Sequence, residues 1–271
     1  MPHLVADGRQ LDYRWIPPLD PGRPTLVLLH EGLGSAELWG DFPDRLGQRT
    51  GAGALVYSRY GYGRSDVLGE PREIDYLERE AVTALPAVLE AAQISAPVLV
   101  GHSDGATIAL LHAAEGRWPV RGLVLEAPHV FVEEVTIRGV ERARAAYSGG
   151  TLRERLQPWH RNVDATFNGW ADVWLQPRFR GWNIEHCLRE IRCPVLVIQG
   201  KDDGYGTLGQ VEAIQRGTSG PVETLILEGC GHAPHAERPE EVLDAMAAFV
   251  AGWTHSGASP GSPGRSPGPA P

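Results

Sequence analysis

Unbroken apolar runs recur along the chain, each closing in a small or polar turn. They are Thr25-Leu26-Val27-Leu28-Leu29, Ala54-Leu55-Val56-Tyr57-Ser58, Ala96-Pro97-Val98-Leu99-Val100, Gly122-Leu123-Val124-Leu125 and Pro194-Val195-Leu196-Val197-Ile198. Runs of this length without alternation mark strands covered on both faces. Segment 11–16 alternates instead and reads as an edge strand, followed by a proline-rich turn at Pro17-Pro18. Val222-Glu223-Thr224-Leu225-Ile226-Leu227 supplies a last strand. Between the runs, helical periodicity covers 38–49, 76–92, the stretch after Ser103, 207–215 and 237–253. Pro86 lies inside the second of these and predicts a kink. Arg238-Pro239-Glu240-Glu241 gives the last helix favourable N-terminal chemistry. Strands alternating with helices predict an α/β fold with a mostly parallel central sheet flanked by helices. In such a sheet, functional groups gather outside the carboxyl ends of the strands.

The alternation fails between residues 129 and 187. That stretch is helical, charged on one face and rich in aromatics, with Trp159, Phe167, Trp170, Trp174 and Trp182. It divides the chain into a first core segment, 1–128, a helical insertion, 129–187, and a second core segment, 188–255. Residues 256–271 are a Ser/Gly/Pro tract without apolar anchors, expected to be disordered.

The chemistry concentrates where the third central run ends. Gly101-His102-Ser103-Asp104-Gly105 joins a buried strand to a helix, with Ser103 at the apex of the turn. A serine there sits in a strained backbone, so its neighbours two residues away must be small, as Gly101 and Gly105 are. The helix N-terminus favours negative charge developing beside the hydroxyl. Downstream, one strand opens into Gly200-Lys201-Asp202-Asp203, and another ends in Gly229-Cys230-Gly231-His232.

This order of serine, acid and histidine at strand ends resembles the α/β-hydrolase family. The resemblance implies that Ser103 is a nucleophile, His232 its base and Asp203 the acid that orients the base. The adjacent Asp202 and the strand-end Glu126 are alternatives for the acid, and His235 is one for the base. The loop His30-Glu31-Gly32-Leu33-Gly34 corresponds to the family's His-Gly loop, with Glu31 standing where glycine is usual. It implies an oxyanion hole built from the backbone N–H groups of Gly32 and Asp104, while His30 reads as a structural hydrogen-bonder. Arg59-Tyr60-Gly61-Tyr62-Gly63-Arg64-Ser65-Asp66 resembles a structural loop of the family. The insertion at 129–187 falls where relatives carry a cap, which makes Glu31, Trp159, Trp170 and Trp174 candidate pocket residues. Serine rather than aspartate at the turn argues against haloalkane dehalogenase or epoxide hydrolase chemistry.

Composition narrows the function further. The net charge of −9 argues against nucleic acid or an anionic membrane as partner. No apolar run approaches the length of a membrane span, and Met1-Pro2-His3-Leu4-Val5-Ala6 lacks a signal-peptide pattern. Three cysteines without paired spacing do not form a disulfide framework. Cys193 reads as a packed residue, while Cys187 and Cys230 are candidate reactive thiols. A cytoplasmic monomer or homodimer acting on a small molecule is expected. Without a metal-ligand spacing or dinucleotide fingerprint, no cofactor is expected. The expected activity is cleavage of a carboxylic ester with a small, largely apolar or aromatic substrate. Hydrolysis of carbon–carbon bonds in vinylogous diketones is an alternative, as is a ligand receptor or pseudoenzyme on the same fold.

Overall fold

In Leu26–Leu29 all four side chains are buried, with Leu26 and Leu28 on one side of the sheet and Val27 and Leu29 on the other. Alternating faces, both covered, are what an unbroken apolar run requires. The computed structural model describes residues 2–252, so the tract at 256–271 and the expected helix end at 253 lie outside the described residues.

Eight strands form one sheet: His3–Ala6 (β1), Arg9–Ile16 (β2), Leu26–Leu29 (β3), Ala54–Tyr57 (β4), Val98–His102 (β5), Gly122–Glu126 (β6), Val195–Gly200 (β7) and Val222–Leu227 (β8). Their order is β1-β2-β4-β3-β5-β6-β7-β8. Pairing is antiparallel from β1 to β4 and parallel from there to β8. The alternating segment expected at the sheet edge is instead β2, flanked on both sides, and β1 takes the edge. Asp7 and Gly8 both have positive φ, 48° and 69°. Asp-Gly in that conformation is a two-residue hairpin turn that folds β1 back along β2.

The helices are Phe42–Thr50 (α1), Tyr76–Arg79 (α2), Leu85–Ala91 (α3), Asp104–Glu115 (α4), Glu134–Ser148 (α5), Thr151–Leu156 (α6), Val163–Trp174 (α7), Leu208–Gly217 (α8), Pro234–Glu237 (α9) and Pro239–Ala251 (α10). One core is closed by Phe42, Leu46, Leu243 and Met246 of α1 and α10. The other is closed by Leu85, Val88, Ile108, Leu110 and Ile214 of α3, α4 and α8. The break expected at Pro86 takes the form of a π-helical turn, Glu80–Ala84, just before it. Proline lacks an N–H and crowds the preceding turn, and a wider turn accommodates both. Helix α8 opens on Thr207, whose hydroxyl accepts from the Gly209 N–H at 3.0 Å.

Helices α5, α6 and α7 form the insert between β6 and β7. The insert rejoins the core at named points. The Thr166 hydroxyl donates to the Gly61 carbonyl at 2.7 Å, and the Trp174 indole donates to the Tyr76 hydroxyl at 2.8 Å. Among the described residues no helix is long and apolar enough to cross a membrane.

Candidate active site

Strand β5 delivers Ser103 to the first residue before α4 with φ 53° and ψ −115°. A non-glycine residue in that region is strained and is held there only by its surroundings. The Ser103 N–H donates to the Glu126 carbonyl at 2.8 Å, and its own carbonyl accepts from Ala106 and Thr107 at 2.9 and 3.0 Å. The flanking glycines are fixed by contact. A Cβ on Gly105 would collide with the Leu29 carbonyl, and one on Gly101 with the backbone of Gly105 and Ala106.

The structure brings Ser103, His232 and Asp203 into one relay. Ser103 Oγ lies 3.0 Å from His232 Nε2, and His232 Nδ1 lies 2.8 and 2.9 Å from the two Asp203 oxygens. Asp203 also accepts from the Gln199 side chain at 2.8 Å and the Tyr205 N–H at 2.7 Å. Burial would raise its pKa, but the bonds from His232, Tyr205 and Gln199 outweigh that and hold it at about 2. The carboxylate therefore fixes His232 with the proton on Nδ1 and leaves Nε2 free to accept from Ser103.

The alternatives are engaged elsewhere. Asp202 is exposed. Glu126 is fully buried and accepts from both the N–H and Nδ1 of His235, at 2.9 and 3.0 Å. The His235 ring packs on Trp39 and Phe42, with centroids 4.5 and 5.5 Å away. Cys187, Cys193 and Cys230 are free, and burial raises all three thiols, the last two to about 11. A thiol so protonated is no rival nucleophile.

The sequence singles out two backbone N–H groups as candidate oxyanion donors. That of Asp104 opens α4, in the first turn where a helix offers its N–H groups no carbonyl partner. Gly32 lies in the loop after β3, directly under the Trp170 indole, where a Cβ would collide with the ring. The Asp104 side chain does not face solvent. It accepts from the Tyr76 hydroxyl at 2.6 Å, lies 3.9 Å from the Arg59 guanidinium, and is raised by burial despite both. A cavity of about 380 Å³ borders this cluster, with Tyr57, Arg59, Arg72, Tyr76 and Glu80 among its walls. Arg59 and Tyr76 stand between it and Asp104.

His30 donates from Nδ1 to the Glu31 carbonyl at 2.7 Å and accepts the Arg59 N–H on Nε2 at 3.1 Å. Of the tryptophans, Trp170 and Trp174 are 6% and 2% exposed, whereas Trp159 is 38% exposed on the short turn Gln157–Trp159. Sequence reasoning missed Gln199, Tyr205, Tyr76 and His102. Gln199 and His102 carry a local signal, each as the polar side chain of an otherwise apolar buried strand. Tyr76 meets partners 28 and 98 residues away, and Tyr205 supplies only a backbone N–H, which no side-chain pattern marks.

Residues 26–245 match the model of the alpha/beta hydrolase family, and the chain belongs to that family. It is 25% identical over 266 residues to the 2-succinyl-6-hydroxy-2,4-cyclohexadiene-1-carboxylate synthase of Salmonella paratyphi A, covering 86% of this chain and 96% of that one. It is 28% identical over 218 residues to the serine hydrolase BPHL of Mus musculus, over 74% of this chain and 69% of the relative. Among solved structures, a carboxylesterase of the thaumarchaeon Nitrososphaera gargenis superposes with a TM-score of 0.76 at 20% identity, over 93% and 99% of the two chains. That last likeness is one of fold.

Proposed function

We propose that the protein is a serine hydrolase that cleaves a carboxylic ester through an acyl-enzyme on Ser103. The observation that carries this reading is the unbroken relay from Ser103 through His232 to Asp203, with links of 3.0 and 2.8 Å. In it, Ser103 Oγ attacks the ester carbonyl while His232 Nε2 takes the hydroxyl proton. The carbonyl oxygen becomes an oxyanion held by the N–H groups of Gly32 and Asp104, each donor contributing about 10²–10³ in rate. Collapse expels the alcohol, which leaves with the proton from His232. Water, deprotonated by the same ring, then releases the acid and restores Ser103. Asp203 orients the imidazole and stabilises it when charged.

The insert at 129–187 serves as a cap in this reading, and Trp170 and Trp174 supply an apolar wall beside the oxyanion donors. Uncharged aryl or medium acyl esters fit such a wall. The mouse relative is named a serine hydrolase, which supports the nucleophile, and the carboxylesterase fold is compatible with the ester. The test is parallel turnover of p-nitrophenyl esters and of a dienoate ketone, with Ser103→Ala as control. Ester cleavage abolished by Ser103→Ala supports the proposal. Turnover of the ketone alone would replace the ester with a carbon–carbon bond.

A further inference from the structure

We propose that Glu31 and His102 form a positioning ion pair that locks the oxyanion loop, the nucleophile turn and the base loop together. It does so only while the His102 ring carries two protons. The inference rests on the reading of Ser103, His232 and Gly32 given above, and deepens it.

Geometry fixes one ring proton and sets the other ring nitrogen opposite a carboxylate. His102 is buried, and its Nε2 lies 2.7 Å from the His232 carbonyl oxygen, which can only accept, so that nitrogen carries a proton. Its Nδ1 lies 3.5 Å from Glu31 Oε2. A lone pair there would face a carboxylate, whereas a second proton makes an ion pair. Burial opposes the charge, but the Glu31 carboxylate, aided by Glu126, outweighs it and holds the ring at about 9. Glu31 in turn stays well below the usual carboxylate range, because His102 and His30 outweigh the cost of its partial burial.

The other titratable groups facing His102 do not replace Glu31. Glu126 lies opposite it on β6 but is bonded to His235. The rings of His235 and His232 approach to 5.0 and 5.2 Å and bring no negative charge. His129, also within reach electrostatically, is buried and held at about 3, hence neutral.

Each end of the pair is one bond or one residue from the proposed machinery. Glu31 precedes Gly32, and its carboxylate folds back over Gly34, where a Cβ would collide with it. This explains a carboxylate at the position the family gives to glycine, with a glycine three residues on. His102 precedes Ser103. The carbonyl it grips belongs to His232, whose Nε2 meets Ser103 Oγ. Misplacements near 1 Å cost about 10² in rate, so three loops held by one imidazolium bear directly on turnover.

The test has two arms. In the first, ¹⁵N-labelled Ser103→Ala protein is titrated by NMR. Both His102 ring nitrogens should be protonated at pH 7 and lose one proton near pH 9, and in Glu31→Gln that loss should move down by a pH unit or more. In the second, kcat and KM of ester cleavage are measured from pH 6 to 10. Glu31→Gln should lower kcat by about tenfold or more with KM little changed, and should shift the alkaline limb to lower pH. Glu31→Asp should recover part of kcat and the original limb. A single His102 tautomer at pH 7, or a folded Glu31→Gln enzyme with unchanged kcat and limb, overturns the proposal. If Ser103→Ala retains ester turnover, the nucleophile assignment fails instead, and the NMR arm still decides whether the pair exists.

Discussion

Asp203 is gripped by a strand residue, a backbone N–H and the His232 ring, so its charge state is set by three donors at once. Its pKa is depressed in the folded chain, from 3.8 to about 2. The stabilisation is therefore fully present above pH 3.8 and is lost as pH falls through 2. On the scale of the shift this is about 2 kcal/mol. In urea titrations, wild type should exceed Asp203→Asn at pH 6, and the gap should shrink below pH 4 and close as pH falls past 2. A gap independent of pH would mean that the carboxylate is not ionised against His232. For turnover, Ser103→Ala and His232→Ala should each lower kcat by roughly 10⁴–10⁶ and Asp203→Asn by about 10²–10⁴. Glu126→Gln should cost less than Asp203→Asn, because Glu126 serves His235 rather than His232. The reverse ranking of those two would move the acid to Glu126. The Ser103, Asp203 and His232 candidates were legible in sequence because each ends a strand in a local motif. Gln199 and Tyr205 lie only four and two residues from Asp203, yet no spacing rule marks their grip on it, and His102 meets a carbonyl 130 residues away.

At the scale of elements, the turn between β5 and α4 depends on space as much as on the serine. Gly105→Ala drives a methyl into the Leu29 carbonyl, so it should cost about 1–3 kcal/mol or more and abolish turnover, as a melting and activity pair would record. Normal stability would show that the turn relaxes. The insert touches both proposed oxyanion donors: Trp170 over Gly32, and Trp174 through Tyr76 to Asp104. If this wall binds the acyl chain, kcat/KM should rise several-fold per methylene, at about 0.8 kcal/mol each. Trp170→Ala should flatten that series more than it alters turnover of an acetate ester. A series unchanged by the substitution would reduce the tryptophan to packing. Periodicity does not tell which tryptophans between 129 and 187 are buried. Trp159 and Trp174 read alike in sequence, and only tertiary packing separates them. The β1 hairpin shows the opposite case, since Asp7-Gly8 carried a local turn signal that the alternation of 11–16 overshadowed.

For the molecule as a whole, the parallel sheet explains how Ser103 and His232, 129 residues apart, meet at 3.0 Å. Strands β3, β5, β7 and β8 run in one direction, so the loops at their carboxyl ends open on the same side. Gly32, Ser103, Asp203 and His232 each follow one of these strands. In the proposed function this convergence makes Ser103 a nucleophile. That role is tested most directly by treating the folded protein with a fluorophosphonate and locating the adduct by peptide mass spectrometry. One adduct is expected, on Ser103, formed far more slowly in His232→Ala and absent in Ser103→Ala. A folded protein that stays unlabelled, or is labelled equally in Ser103→Ala, would contradict it.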